Sequence, residues 1–190
     1  ICMPKNIVIL CSMDTKGEEG RFLKDKIAAN GFHPVIVDIG IGREPSILPD
    51  ISAETVARAG KGDICRIRVS RDTATAMSTM IRGACKLLLD MLEKDELGGL
   101  LAFGGASNTT TATSIMKQIP FGIPKLMLST TAAMPAYAAE YFGTKDITMM
   151  HCVVDILGLN DLTRPVLEMA AGGICGMVKA SSGAVTLSTD

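Results

Sequence analysis

The sequence predicts an open, doubly wound α/β sheet, mostly parallel and Rossmann-like, in a single domain over residues 3–180. Three observations predict it. Short β-branched runs alternate with helical stretches along the chain. Several of those runs are apolar at consecutive positions, as strands are when helices cover both faces. The 190 residues are 47% hydrophobic and 21% charged, which suits one sizeable core and excludes a disordered chain.

Residues 5–11 (KNIVILC) read as the first buried strand, broken by the loop Asp14-Thr-Lys-Gly17. From 18 to 30, Phe22, Leu23, Ile27 and Ala28 recur at helical spacing, and Asn30-Gly31 is a stop. Residues 34–39 form the second strand. Strand, helix and strand in that span make a βαβ unit, with parallel pairing and a right-handed crossover. Between 40 and 71, glycines and prolines break the pattern, so a short helix over 52–59 is the most it predicts, within a mobile loop. Residues 72–96 set Met77, Met80, Ile81, Ala84, Leu88, Met91 and Leu92 on one helical face. Strands come next at 98–103, 124–128 and 147–154, and helices at 107–118 and 162–179. The last helix carries a small-residue face from Ala170 to Gly176. Residues 181–190 read as a linker to a C-terminal domain, and Met3 as the natural first residue.

Charge and composition exclude several classes. A net charge of −1 and 4% aromatics offer no footprint for nucleic acid. No apolar run approaches the ~20 residues that span a bilayer, and no signal peptide opens the chain. Six scattered cysteines without a CxxC pair read as reduced thiols of a cytoplasmic protein. A mean hydropathy of +0.31 with twelve Met predicts a sheet covered on both faces, a subunit interface, or both.

Ligands of doubly wound sheets bind at the carboxyl ends of the strands, so the residues just after each strand matter most. After the third come Gly104-Gly105, then Ser107, Asn108, Thr109 and Thr110. The glycines let backbone approach a ligand, and the next helix offers unpaired N–H groups to an anion. Ser107 or Asn108 serves equally well as a helix cap. After the first strand, Asp14, Thr15 and Lys16 offer a cation for phosphate and a carboxylate for a ribose hydroxyl or metal-bound water, or else a solvated turn. Asp38 stands where dinucleotide folds carry a ribose-binding acid. Ser129, Thr130 and Thr131 come after the fourth strand, while Thr144, Lys145 and Asp146 precede the fifth.

Other motifs fail. GxxxxGK[ST], the third glycine of a dinucleotide fingerprint, the hydrolase elbow and HExxH are all absent. His33 reads as structural and His151 as a partly buried core or interface residue. His151 and Cys152 are neighbours on one strand, so they point to opposite faces and cannot form a dyad.

Asp14-Thr-Lys-Gly-Glu18, Gly104-Gly105 with its hydroxyl run, Pro124-Lys-Leu-Met-Leu-Ser-Thr130, and Gly143-Thr-Lys-Asp-Ile-Thr-Met149 before Val154-Asp-Ile-Leu-Gly-Leu-Asn160 occur in one order. Together they resemble the N-terminal domain of a widespread bacterial and fungal family. A similar domain opens the plant tobamovirus-resistance protein, an inhibitor of the viral replication helicase. The resemblance implies a Rossmann-like domain that binds ATP, with or without Mg²⁺, and forms a homodimer. It also implies a second α/β domain beyond residue 190. The family's glycine-rich turn carries a further glycine where this chain has Ala106 or Asn108. Phosphates are then expected over residues 104–110 and 129–131, with Lys16 or Lys145 supplying charge. Whether the chain only binds nucleotide, forms half of an enzyme for a small phosphorylated or carboxylated metabolite, or acts as a regulatory interaction module stays open at the level of sequence.

Overall fold

A computed structural model describes residues 5–70 and 72–181. Along them run β1 (Asn6–Cys11), α1 (Met13–Ala29), β2 (His33–Asp38), α2 (Ala53–Ala59), α3 (Ile64–Val69), α4 (Thr73–Glu93) and β3 (Leu97–Gly104). Then come α5 (Ala106–Met116), β4 (Lys125–Ser129), α6 (Pro135–Phe142), β5 (Thr148–His151) and α7 (Thr163–Ser181). The strands pair in parallel in the order β2-β1-β3-β4-β5, a common doubly wound order. The predicted α/β sheet is the observed one. Ser181, expected to open a linker, ends α7, and Met3 and residues 182–190 lie outside the described residues.

Successive strand residues alternate between two cores. Val8, Leu10, Val37, Leu100, Ala102 and Met127 share one with α2, α4 and α5. Ile7, Ile9, Ile36, Leu101, Phe103 and Leu128 share the other with α1 and α7. Both faces are covered, which is why the strands read as continuous apolar runs.

Three local expectations change. The helix expected from residue 18 begins at Met13, because Ser12 O accepts from Thr15 N (3.2 Å) and Lys16 N (2.9 Å). Lys16 then breaks helical geometry with φ −129° and ψ 27°, so Asp14–Lys16 is a kinked first turn rather than a loop. The stretch expected to be a mobile loop, described over residues 40–70, is anchored at Ile51. Asp38 N donates to Ile51 O and Ile51 N to Ile36 O, both at 2.9 Å, and α2 and α3 come after. α2 in turn packs on α4 at a glycine: a Cβ on Gly83 would overlap the Val56 carbonyl oxygen. Arg82 secures the contact, donating from Nε and Nη2 to Gly60 O at 2.9 and 2.6 Å.

Lys125, the first residue of β4, is fully buried. Its ammonium donates to Pro120 O (2.8 Å), Ile123 O (2.9 Å) and Asp146 Oδ1 (2.9 Å). Burial pushes the Asp146 carboxyl up, but the Lys125 ammonium and the Gly122 N–H outweigh it and hold it below its ordinary 3.8. A buried ion is tolerable only when its hydrogen bonds are this complete. Lys125→Met should therefore cost about 3–5 kcal/mol in urea denaturation. Lys125→Met with Asp146→Leu should recover most of it. Because the Asp146 value is depressed, the pair's contribution should be present above 3.8 and vanish as pH falls through the lower folded value.

Candidate functional site

β1 runs into α1 on one face of the sheet, and its neighbour β3 runs into α5 on the other. The chain thus parts at the carboxyl ends of two adjacent strands, the place where doubly wound sheets hold ligands. A cleft of about 420 Å³ opens there. Asp14, Thr15 and Lys16 line it from α1 and Gly104, Gly105, Ser107 and Asn108 from the β3–α5 turn. Ser12, Ile41 and Gly42 complete the lining. These three follow the first and second strands, where the sequence directs attention, but are not among its candidate site residues.

The β3–α5 turn is built from two differently constrained glycines. Gly104 has φ +145°, a conformation that side chains other than glycine rarely adopt. Gly105 has φ −85°, which any residue accepts, and a Cβ there would meet nothing nearer than Thr130 Oγ1 at 3.7 Å. Gly105 is the N-cap of α5 and no side chain caps the helix. Thr109 N makes the first intrahelical bond, to Gly105 O at 2.9 Å. The N–H groups of Ala106, Ser107 and Asn108 precede it, and helix geometry leaves such groups without a carbonyl of their own. An open turn, uncapped donors and the positive end of a helix dipole coincide.

The hydroxyl and amide side chains mostly serve the frame. Asn108 Nδ2 donates to Phe103 O (2.5 Å), and its Oδ1 accepts from Ser12 Oγ (3.1 Å), joining the two walls. Thr109 Oγ1 donates to Gly105 O and meets Ser129 Oγ, both at 2.8 Å. Ser129 Oγ meets Thr131 Oγ1 at 3.1 Å, and Thr131 meets the buried Tyr141 hydroxyl at 2.8 Å. Thr109, Ser129 and Thr131 are buried in this chain. Thr130 borders the glycine turn and its N–H donates to Gly104 O at 3.1 Å. Ser107 is exposed, and Thr110 is half-buried.

Lys16 lines the cleft, but its ammonium donates to Ile156 O in the segment after β5. Asp14 Oδ1 is buried without a hydrogen-bond partner, against the Gly40–Gly42 loop. Among the charged groups of the cleft it is the acceptor left for a hydroxyl or a water. No group of three or more His, Cys, Asp or Glu among the described residues could hold a metal ion by itself.

Two sets stand apart. Thr144, Lys145 and Asp146 lie at the amino edge of the sheet, the first two exposed and Asp146 paired to Lys125. They precede β5, and residues before a parallel strand sit opposite the cleft. His151, expected to be partly buried, is exposed at the end of β5, while Cys152 is buried. Opposite burial of these neighbours agrees with their exclusion as a dyad. Burial, with Asp38, Glu19 and Asp14 nearby, raises the Cys11 thiol well above 9.0, so it is no thiolate nucleophile.

Asp38 is 2% exposed and serves the backbone rather than the cleft. Its Oδ1 accepts from Met13 N (3.0 Å) and Gly40 N (2.9 Å), pinning the end of β2 to the start of α1. Burial raises its carboxyl above 3.8; the two N–H donors offset part of this and Asp14 adds to it. A raised value means stability that is full below 3.8 and is lost as pH rises through the folded value. Asp38→Asn keeps an acceptor for both N–H groups and removes the charge. Urea midpoints measured across that range should fall in the parent and stay flatter in the variant.

Residues 5–183 match the uncharacterised protein family (UPF0261) N-terminal domain. A UPF0261 protein of Clostridium tetani is 36% identical over 180 residues, covering 95% of this chain and 44% of that protein. The ToMV susceptible protein tm-1(GCR26) of Solanum lycopersicum is 28% identical over 182 residues, covering 87% and 24%. A diflavin flavoprotein A3 structure from Nostoc superposes with a TM-score of 0.48 at 9% identity, covering 95% of this chain and 97% of that one. The chain spans less than half the length of the two curated relatives. With a profile match over nearly all its residues, the chain belongs to the UPF0261 family, as its N-terminal domain.

Proposed function

We propose that this chain is a nucleotide-binding domain whose ligand is ATP, with the phosphates over the β3–α5 turn. The observation that carries this reading is the uncapped start of α5 behind an open Gly105, at the crevice between β1 and β3. Its volume lies within the ~300–1,000 Å³ of small-molecule sites. The residues present fit a polyphosphate: fixed backbone donors, a helix dipole and a turn without side chains. Asp14 Oδ1 supplies an acceptor for a ribose hydroxyl or a magnesium-bound water. Lys145 and Asp146 have no part in this site, and Thr109, Ser129 and Thr131 act through the frame.

The same reading includes a homodimer. Val153, Leu157 and Leu162 are exposed between the end of β5 and α7, and Met169 is exposed on α7. On α7 itself, Ala170, Ala171, Ile174 and Cys175 pack on the sheet, and a Cβ on Gly172 or Gly176 would meet nothing. The outer face of α7 is thus shaped for close approach, and β5 is an edge strand. Sedimentation at micromolar concentration should show a dimer, which Gly172→Lys weakens without lowering monomer stability; a monomer throughout would end this part of the reading.

ATP at 100-fold above its Kd should add about 2.7 kcal/mol of stability. For this chain length that is a Tm rise of about 5–10 °C. Gly105→Val should fold like the parent, since φ and space both permit it, yet bind ATP at least about a hundredfold more weakly, some 2.7 kcal/mol. Lys16→Ala should cost no more than about tenfold, because its ammonium is already engaged with Ile156. Calorimetric titration decides. A folded Gly105→Val that binds ATP like the parent moves the phosphates elsewhere.

A further inference from the structure

A second cavity, of about 650 Å³, lies between the 39–52 segment and helices α2 and α3. Gly40 stands between it and the switch-point cleft. A Cβ on Gly40 would stand 2.9 Å from Asp14 Oδ1, in the first cleft, and 3.0 Å from Asp38 Oδ1, in the second. The segment that encloses it is anchored at Ile51 by its two backbone bonds to β2. α2 is held by the glycine contact with α4. The cavity therefore belongs to the packed fold.

One cation in its wall, Arg68, faces Asp38 and Glu44 but has an Nε without a hydrogen-bond partner. The Arg68 side chain of α3 is 21% exposed, and its Nε is buried with no hydrogen-bond partner. Nη1 stands 3.5 Å from Glu44 Oε1, beyond good hydrogen-bond distance, and Glu44 is 87% exposed, so that pair is loose. A buried guanidinium N–H without an acceptor is costly and rare in folded proteins. Nε and Nη2 together form the side-on fork that takes a carboxylate in two parallel bonds. Glu44 approaches Nη1 and does not bond to that edge.

The remaining charges of the wall are engaged. Arg58 Nη2 donates to Glu54 Oε1 at 2.6 Å, and Asp63 Oδ1 caps α3 by accepting from Cys65 N at 2.8 Å. Asp38 accepts from two backbone N–H groups. Acidic side chains outnumber basic ones in the wall, which disfavours a dianionic phosphate and suits a single negative charge. The rest of the lining includes Pro45, Leu48, Pro49 and Ile64. Leu48 is 87% exposed, an apolar lip with nothing yet packed on it.

We propose that this cavity binds a small-molecule monocarboxylate. Arg68 takes the carboxylate side-on, and a short apolar body lies against Pro45, Leu48, Pro49 and Ile64. The site is distinct from the nucleotide cleft and stands whether or not the nucleotide reading does. In the intact chain it places a carboxylate ligand one loop away from the β1–β3 crevice.

The probes are 4-methylpentanoate and its uncharged amide, 4-methylpentanamide. Two readouts apply: calorimetric titration, and protection of exposed Cys65, which lines the cavity, from iodoacetamide as mapped by mass spectrometry. The acid should bind saturably and slow Cys65 alkylation, and the amide should bind at least about tenfold more weakly. Arg68→Met should abolish acid binding while ATP still binds saturably. Arg68→Lys, which keeps the charge without the fork, should bind about tenfold more weakly than the parent. Leu48→Ser, at a solvent-facing position, should weaken the acid several-fold without affecting folding. Equal affinity for acid and amide, full binding by Arg68→Met, or no saturable binding of millimolar acid overturns the proposal. If Arg68→Met does not fold, Arg68→Lys, Leu48→Ser and the amide comparison still decide it. Loss of ATP binding alone, with acid binding intact, would overturn only the nucleotide reading.

Discussion

Adjacent parallel strands that send their chains to opposite faces cannot close the sheet above themselves. β1 and β3 are such a pair, leading into α1 and α5. The gap at their carboxyl ends is a consequence of topology, before any side chain is considered. Sequence then supplies the lining. A φ of +145° at Gly104 turns the chain abruptly out of β3, and Gly105 leaves the turn bare. Without the turn, α5 could not present its first N–H groups at the opening.

The gap also has to be held at a fixed width, and the polar side chains nearby do that. Asn108 spans it, with one end on Phe103 O and the other on Ser12 Oγ. Behind it, Thr109, Ser129, Thr131 and Tyr141 satisfy one another in a buried chain. Each such bond contributes only about 0.5–1.5 kcal/mol net, but leaving a member unpaired costs about 1–3 kcal/mol. The chain is therefore kept whole or lost as a unit, and it couples α6 to the glycine turn. Groups fixed in this way would not need to reorganise for a bound anion, which is where preorganised binding draws its advantage. The hydroxyl-rich composition of this edge thus has a structural use as well as a chemical one.

The architecture is largely legible in sequence because the strands are covered on both faces and carry continuous apolar runs. All five strands and the main helices lie within a few residues of where periodicity puts them. α3 and α6 escape it: Ile64–Val69 and an eight-residue stretch opened by proline are too short for helical periodicity to register. The position of Asp14–Lys16 is legible but its state is not, since Gly17 and the polar run read as a loop. In the structure Ser12 O nucleates a turn there. Side-chain chemistry misleads most where it is read without the strand direction. Lys145 and Asp146 look like ligand groups, yet they precede a parallel strand, and that places them at the opposite edge. Lys125 carries the missing clue. A lysine within an apolar strand needs a buried acceptor, and Asp146 is that acceptor.

The loop between the two cavities remains the point where the parts meet. Asp38 ties it to α1 through Met13 N and Gly40 N, and Asp14 lies against the same glycines from the other side. Two carboxyls crowd one short segment. Asp38 carries its charge reluctantly, and Asp14 keeps one oxygen unsatisfied. A donor reaching Asp14 from the β1–β3 cleft would ease that repulsion and so favour charge on Asp38. A carboxylate beside Arg68 would act oppositely, since Arg68 is the cation that stabilises charge on Asp38. Ligands in the two cavities would therefore act on one carboxyl in opposite directions. Any coupling between them must be reciprocal, each changing the other's affinity by the same factor.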